Sequence, residues 1–254
     1  MKRMKYVASD HKTRPIFSCL LSLITTSGWV RTMLVGLGMA AGLLPITSTA
    51  QDQTSVHVDG VSIVYIGALT EEANEQAYAL LTPSITTLKI DSEGGDVRLG
   101  MDLGDWIQQY KLDVEVLGLC FSSCANYIFP SGNTKILGLR NIVGWHGGAT
   151  EKPSLEFAEQ LLKFKPDQLV GVIQYLNNQL VRETLFFNRI KVDQALTVHG
   201  QQAKYKSQAE GCKGWSYSLN VMRAFGIRNI ALKNGAWSPR NTYKGGCLFS
   251  ITST

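Results

Sequence analysis

Residues 86–148 read TTLKIDSEGGDVRLGMDLGDWIQQYKLDVEVLGLCFSSCANYIFPSGNTKILGLRNIVGWHGG. This segment decides the fold, because three short apolar stretches in it each end in a chemically distinctive turn. Leu88 and Ile90 alternate with Lys89 and Asp91, the pattern of a strand with one buried face, and run into Ser92-Glu93-Gly94-Gly95. Paired glycines let the backbone turn sharply and aim its N–H groups outward, as an anion site requires. Leu112-Asp113-Val114-Glu115-Val116 is a second alternating stretch, delivering the chain to Gly118-Leu119-Cys120-Phe121-Ser122-Ser123-Cys124. Ile142-Val143-Gly144-Trp145 then leads to His146. A glycine turn, a serine turn and a histidine after successive strands are the parts of a serine acyl-transfer site.

Between the first two turns, Leu99, Leu103, Trp106, Ile107 and Tyr110 fall on one face of a helix, with Asp102, Asp105, Gln108 and Gln109 opposite. Its start lies just past Gly94-Gly95, so its dipole favours negative charge near those amides. Ser123 to Phe129 is expected to begin a second helix behind the serine, and Lys135 to Leu139 a short strand. Upstream, Val56 to Leu69 reads as a hairpin turning at Asp59-Gly60. Thr70 with Glu71, Glu72 and Glu75 then opens a helix that Pro83-Ser84 ends.

Downstream of His146, Pro153-Ser154 opens a helix through Phe164, and Lys165-Pro166-Asp167 breaks it. A longer helix spans about Gln168 to Phe187, with Leu169, Val172, Ile173, Leu176 and Leu180 in register. Residues 229–254 are rich in Gly, Ser and Thr and read as an extended surface tail.

The chain has 254 residues, with 25 Lys/Arg against 20 Asp/Glu. The excess sits in the N-terminal 50 residues, which hold six basic residues and one acid, so the remaining 204 carry 19 of each sign. The net basicity therefore says nothing about nucleic acid, and no basic stripe with interleaved aromatics occurs. Lys2, Arg3, Lys5, Lys12 and Arg14 precede apolar runs at Pro15–Val30 and Met33–Leu44, and Ser48-Thr49-Ala50 comes next. This is the order of an export signal with cleavage after Ala50. An uncleaved membrane anchor through residues 15–44 is the alternative, although Met33–Leu44 is shorter than the roughly 20 residues that span a bilayer.

Cys19 lies in that leader, leaving Cys120, Cys124, Cys212 and Cys247. Four cysteines in an exported domain point to two disulfides, with three connectivities open. Cys212 is expected to bridge to Cys247 or to the Cys120/Cys124 turn. Zinc ligation would want closer Cys pairs or His partners. No cofactor or metal motif is present in the sequence.

The same stretch resembles the Clp protease/crotonase superfamily, and within it the Clp-type and signal-peptide-peptidase-type serine peptidases. Asp91-Ser92-Glu93-Gly94-Gly95-Asp96-Val97 with Gly100 resembles the family's N-S-P-G-G-x-V segment and downstream glycine. Gly118–Cys124 resembles its G-x-A-A-S-M-G nucleophile turn, which places Ser122 on the nucleophile. His146, 24 residues further on, stands where the family carries its base. The resemblance covers roughly Val56 to Thr150. It implies an α/β fold: a spiral of repeated β-β-α units with helices packed around it and a helical insertion after the histidine. Residues 1–50 would be leader or anchor, 51–228 the domain and 229–254 the tail. The run Trp215 to Ile227 resembles the family's closing helix, with Gly226 as its C-cap.

The resemblance implies an exported, periplasmic-type serine peptidase, with Ser122 attacking, His146 as general base and Gly95 and Ser123 amides binding the oxyanion. Scarcity favours the same histidine. His57 lies in a first strand and His199 beside Gly200 in a polar loop. Counting back from Gly226 to the family's acid reaches Glu210, with Asp193 a more distant substitute, and neither sits in a copy of the motif. The alternative is a catalytically silent scaffold or binding protein on the same fold, suggested by that acid and by Glu93 in place of the family's proline. Acyl-CoA chemistry is disfavoured, because export removes coenzyme A. The partners implied are a peptide or protein substrate and, by analogy with the family, further copies of the chain.

Overall fold

The computed structural model describes residues 54–150, 159 and 161–253. The leader or anchor through residue 50, and most of the helix expected from Pro153, lie outside the described residues. The described part is α/β, with a mostly parallel seven-stranded sheet, helices against it and a separate three-stranded sheet.

β1 (Ser55–Asp59) and β2 (Ser62–Ile66) form the expected antiparallel hairpin, turning through Gly60 and Val61. Helix α1 (Glu71–Ala79) is next; the side chain of its N-cap, Thr70, accepts from the Ala73 N–H. β3 (Thr87–Ser92) lies parallel to β2. Helix α2 (Val97–Tyr110) is capped by Asp96, which accepts from Arg98 and Leu99 N–H, and it buries Leu99, Leu103, Trp106 and Ile107. Tyr110 stays half exposed at the end of that face.

β4 (Asp113–Phe121) is the branching strand. Val114–Val116 pair with β5 (Lys135–Leu137), while Leu119–Phe121 pair with β6 (Ile142–Gly144), all parallel. A register shift against β3 between Ile90 and Ser92 brings Ser92 opposite Cys120. The helix expected behind Ser122 is instead a π-helical turn, Cys124–Ile128, running into Phe129–Ser131. Widened turns of this kind are rare and frequently occur at functional sites. Gly100 of α2 lets Tyr127 of that turn approach so closely that a Cβ there would lie 2.6 Å from its ring.

Helix α3 (Pro166–Ile190) begins at Pro166, two residues before the expected start. Proline at a first helical position loses no hydrogen bond, so the residue read as a breaker is a starter. Asp102 and Asp105, on the polar face of α2, accept from Arg182 and Arg189 of α3 at 2.6 Å each. Phe186 and Phe187 bury against Tyr127.

The C-terminal region departs most from expectation. Trp215 to Tyr217 are not helical but belong to β7 (Cys212–Tyr217). Only the short helix α4 (Leu219–Ala224) comes after it, closed by Gly226 at φ 95°. The expected tail after Arg228 is built into the fold. β8 (Ile230–Leu232) extends the main sheet beside β5. β9 (Thr242–Tyr243) and β10 (Gly246–Ile251) join β7 in the second sheet. Leu248, Phe249 and Ile251 are buried there, which is why these residues do not remain on the surface.

The two cysteine bridges are Cys120–Cys124 and Cys212–Cys247. Their sulfurs are therefore committed to each other. No described helix is long and apolar enough to cross a membrane.

Candidate active site

β4 and β6 are adjacent parallel strands with Phe121 opposite Gly144, so the residues just past their ends leave the sheet side by side. This register carries Ser122 and His146 together. The Ser122 N–H donates to Gly144 O at 3.0 Å, and His146 Nε2 lies 2.7 Å from Ser122 Oγ. Residues at the carboxyl ends of parallel strands are where α/β sheets place ligands and reacting groups.

Ser122 is held at φ 58°, a left-handed conformation uncommon for a residue with a side chain. It is the geometry of a nucleophile elbow, in which a sharp strand-to-helix turn exposes the hydroxyl. The Cys120–Cys124 bridge spans this turn. Phe121 stacks on the His146 ring, with centroids 5.2 Å apart and planes at 23°, so the imidazole has a wall on one face. Trp145 anchors the histidine from behind: its N–H and carbonyl pair with Trp215 O and N at 2.8 and 2.9 Å, joining the two sheets. Gln201 Nε2 donates to the His146 carbonyl at 2.9 Å.

The glycine turn packs directly on the serine turn. Gly94 has φ 89°, and a Cβ there would lie 2.6 Å from Phe121 O, 2.7 Å from Ser123 N and 2.9 Å from Ser122 Cβ. Its N–H donates to Ser92 Oγ at 3.0 Å, and its carbonyl accepts from Leu69 N–H at 2.9 Å. Ser123 Oγ donates to Gly95 O at 2.7 Å, tying the two turns together. The Ser123 amide opens a helical turn and so has no acceptor within that helix. Gly95, Ser122, Ser123 and His146 are thus brought into one place.

Gly94→Ala is expected to destabilise the domain by about 1–3 kcal/mol and to displace the serine turn as well, because φ stays positive while the new methyl overlaps backbone. Gly60→Ala is the control: φ is 60° there, but nothing lies within 4 Å of the added methyl. Denaturant melts of both variants, with serine-probe labelling, separate the strain from the displacement. Equal labelling by both would refute the packing argument.

The other residues read from the sequence are placed differently. Asp193 caps a 3₁₀ turn, its Oδ1 accepting from Ala195 N–H at 2.9 Å. Glu210 stands exposed after the one-turn helix Lys206–Ala209 and lines a surface pocket with Gln201, Gln202 and Lys206. His199 is not in a polar loop but buried, its Nε2 3.2 Å from Tyr205 Oη, with Tyr217 and Phe225 around it. Burial, and then the Lys204 charge, lower its pKa, outweighing the Asp193 charge that would raise it. His57 is exposed on β1.

Glu93, in the glycine turn after β3, pairs with Lys244 of the β9–β10 turn. Burial alone would raise its carboxyl, but hydrogen bonds from Lys244 and Tyr243 and the Lys244 and Lys213 charges outweigh it and hold the group below its ordinary value. Tyr243 also packs on Phe121, 5.3 Å between centroids. The β9–β10 turn therefore borders the site, although nothing in the sequence pattern points to it.

No family model matches the chain, and no curated protein matches it.

Proposed function

We propose that the chain is an exported serine hydrolase, most simply a peptidase, built on a Clp/crotonase-like spiral of β-β-α units. One observation carries the reading: Ser122 Oγ and His146 Nε2 are 2.7 Å apart, with the serine held at positive φ on the end of a strand. Two successive strand–turn–helix passages, β3 to α2 and β4 to the π-helical turn, support the spiral. The two disulfides support export.

In this reading the Ser122 hydroxyl attacks a carbonyl carbon as His146 Nε2 takes its proton. The carbonyl oxygen becomes an anion held by the Gly95 and Ser123 N–H groups. When the tetrahedral adduct collapses, the C–N bond breaks and His146 returns the proton to the leaving amine. Water, deprotonated by the same histidine, then frees the acyl group from Ser122. The neighbouring serines are unsuited to attack, because both are buried and engaged: Ser92 Oγ accepts from Gly94, and Ser123 Oγ donates to Gly95.

A fluorophosphonate added to the purified, oxidised protein is expected to modify Ser122 alone, read by peptide mapping. Modification of Ser92 or Ser123 instead would overturn the assignment of Ser122, and no modification at all would replace this reading with that of a silent scaffold.

A further inference from the structure

The long helix after the histidine carries an acid in its apolar stripe. Glu183 lies three residues after Leu180 and four before Phe187, and it is 0% exposed. Burying a carboxylate is costly unless hydrogen bonds replace the lost water. Here they do. One oxygen, Oε1, accepts from Tyr127 Oη at 2.5 Å and from Ala149 N–H at 3.1 Å; the other, Oε2, accepts from Gln194 Nε2 at 2.7 Å. Tyr127 belongs to the π-helical turn that starts behind Ser122, and Ala149 lies three residues past His146.

A second tie joins the same two segments. Asn126, whose N–H donates to Ser122 O at 2.9 Å, donates its side-chain Nδ2 to Gly147 O at 2.7 Å. The segment leaving His146 is therefore held at Gly147 from the serine's own turn and at Ala149 by Glu183. The Tyr127–Glu183 and Asn126–Gly147 bonds are buried and the Ala149 bond is half-buried, so loosening either tie leaves buried polar atoms without a partner.

We propose that Glu183 is a positioning residue, fixing the His146–Ala149 segment against the serine turn so that the imidazole meets Ser122 Oγ. This rests on the serine-hydrolase reading above. It acts through the loop and not by touching the reacting atoms. What it supplies is an acceptor pair of the right length, not a charge to the histidine.

Substitutions test this. Glu183→Leu removes both acceptors at similar volume, and Glu183→Asp withdraws them by one methylene. Glu183→Gln keeps Oε1 for Tyr127 and Ala149 and lets the Gln194 amide turn over. Phosphonate inactivation is expected to lose roughly tenfold to a hundredfold in its limiting rate for Leu and Asp, since a displacement near 1 Å costs about that much. The probe's half-saturating concentration should not change, and Gln should restore the rate. Asp provides the reading if Leu does not fold. Normal limiting rates in a folded Leu or Asp variant, or a Gln variant as slow as Leu, would overturn the proposal.

A second readout needs no catalysis. The His146 ring C2–H proton resonance of the full chain, assigned by its loss in His146→Ala, should shift in Leu or Asp and stay in place in Gln. Failure of the wild-type protein to label would remove the hydrolase reading. An unmoved His146 resonance in Leu and Asp would remove this one.

Discussion

Ser122→Ala, His146→Ala and the double variant are expected to fall to one common floor, roughly 10⁴–10⁶ below the wild-type rate of amide or ester cleavage. A loss of 10⁶ corresponds to about 8 kcal/mol of transition-state stabilisation, far more than any single hydrogen bond in the ground state supplies. The two side chains share one proton across 2.7 Å, so removing either ends the same transfer, and removing both costs little more. Independent contributions would instead multiply, and a double variant 10³-fold or more below each single would exclude a Ser–His unit. In the proposed mechanism the Gly95 and Ser123 amides remain in all three variants and would account for the residual rate. Asp193→Asn should stay close to wild type, because asparagine can still cap Ala195. Stopped assays with an ester and an amide substrate, read beside thermal melts, provide the comparison.

How far the sequence carries depends on whether the signal is local. The first hairpin, α1 and α2 are contiguous local patterns; the two helices form where the periodicity puts them, and the hairpin forms with its turn one residue later, at Gly60-Val61. Ser122 and His146 are legible for a related reason: each comes just after a strand pattern, and neighbouring parallel strands deliver their C-terminal turns to one place. The region after Arg228 is not legible, because its strands are short and pair with distant partners. β8 joins β5 and β10 joins β7 across gaps that no local window spans.

Trp215-Ser216-Tyr217 reads as helical beside Leu219–Ala224, but pairing with Phe249–Ile251 overrides that local preference. The apolar stripe of the long helix is plain in the sequence, while the role of Glu183 within it is not. An acid in a stripe asks for buried partners, and Tyr127, Ala149 and Gln194 are all distant in sequence except the last. The π-helical form of Cys124–Ile128 leaves no compositional trace at all.

The two disulfides should separate stability from activity. Cys212–Cys247 closes a sequence separation of 35 residues and Cys120–Cys124 one of 4. Chain-entropy scaling assigns about 4 kcal/mol to the first and about 2 kcal/mol to the second. For a domain of this size the Cys212→Ala/Cys247→Ala pair should lower the melting midpoint by about 8–16 °C, and Cys120→Ala/Cys124→Ala by about half that. Chemistry should run the other way. Cys120 and Cys124 straddle Ser122, whose φ of 58° is the strained point of the turn, and both are fully buried against the core. Without the bridge the turn can relax toward negative φ and carry the hydroxyl away from His146, a displacement that costs on the order of 10²-fold in rate. Cys212 lies three residues before Trp215, whose backbone holds Trp145, so loss of the longer bridge weakens the sheet junction while leaving the serine turn intact. Its variant should label at the wild-type rate below its own lowered midpoint. Melts and phosphonate kinetics on the two double variants decide the matter. If the Cys212/Cys247 variant is the slower to label, the short bridge is not the brace of the serine turn; if the Cys120/Cys124 variant is the less stable, loop length does not set the ranking of the two bridges.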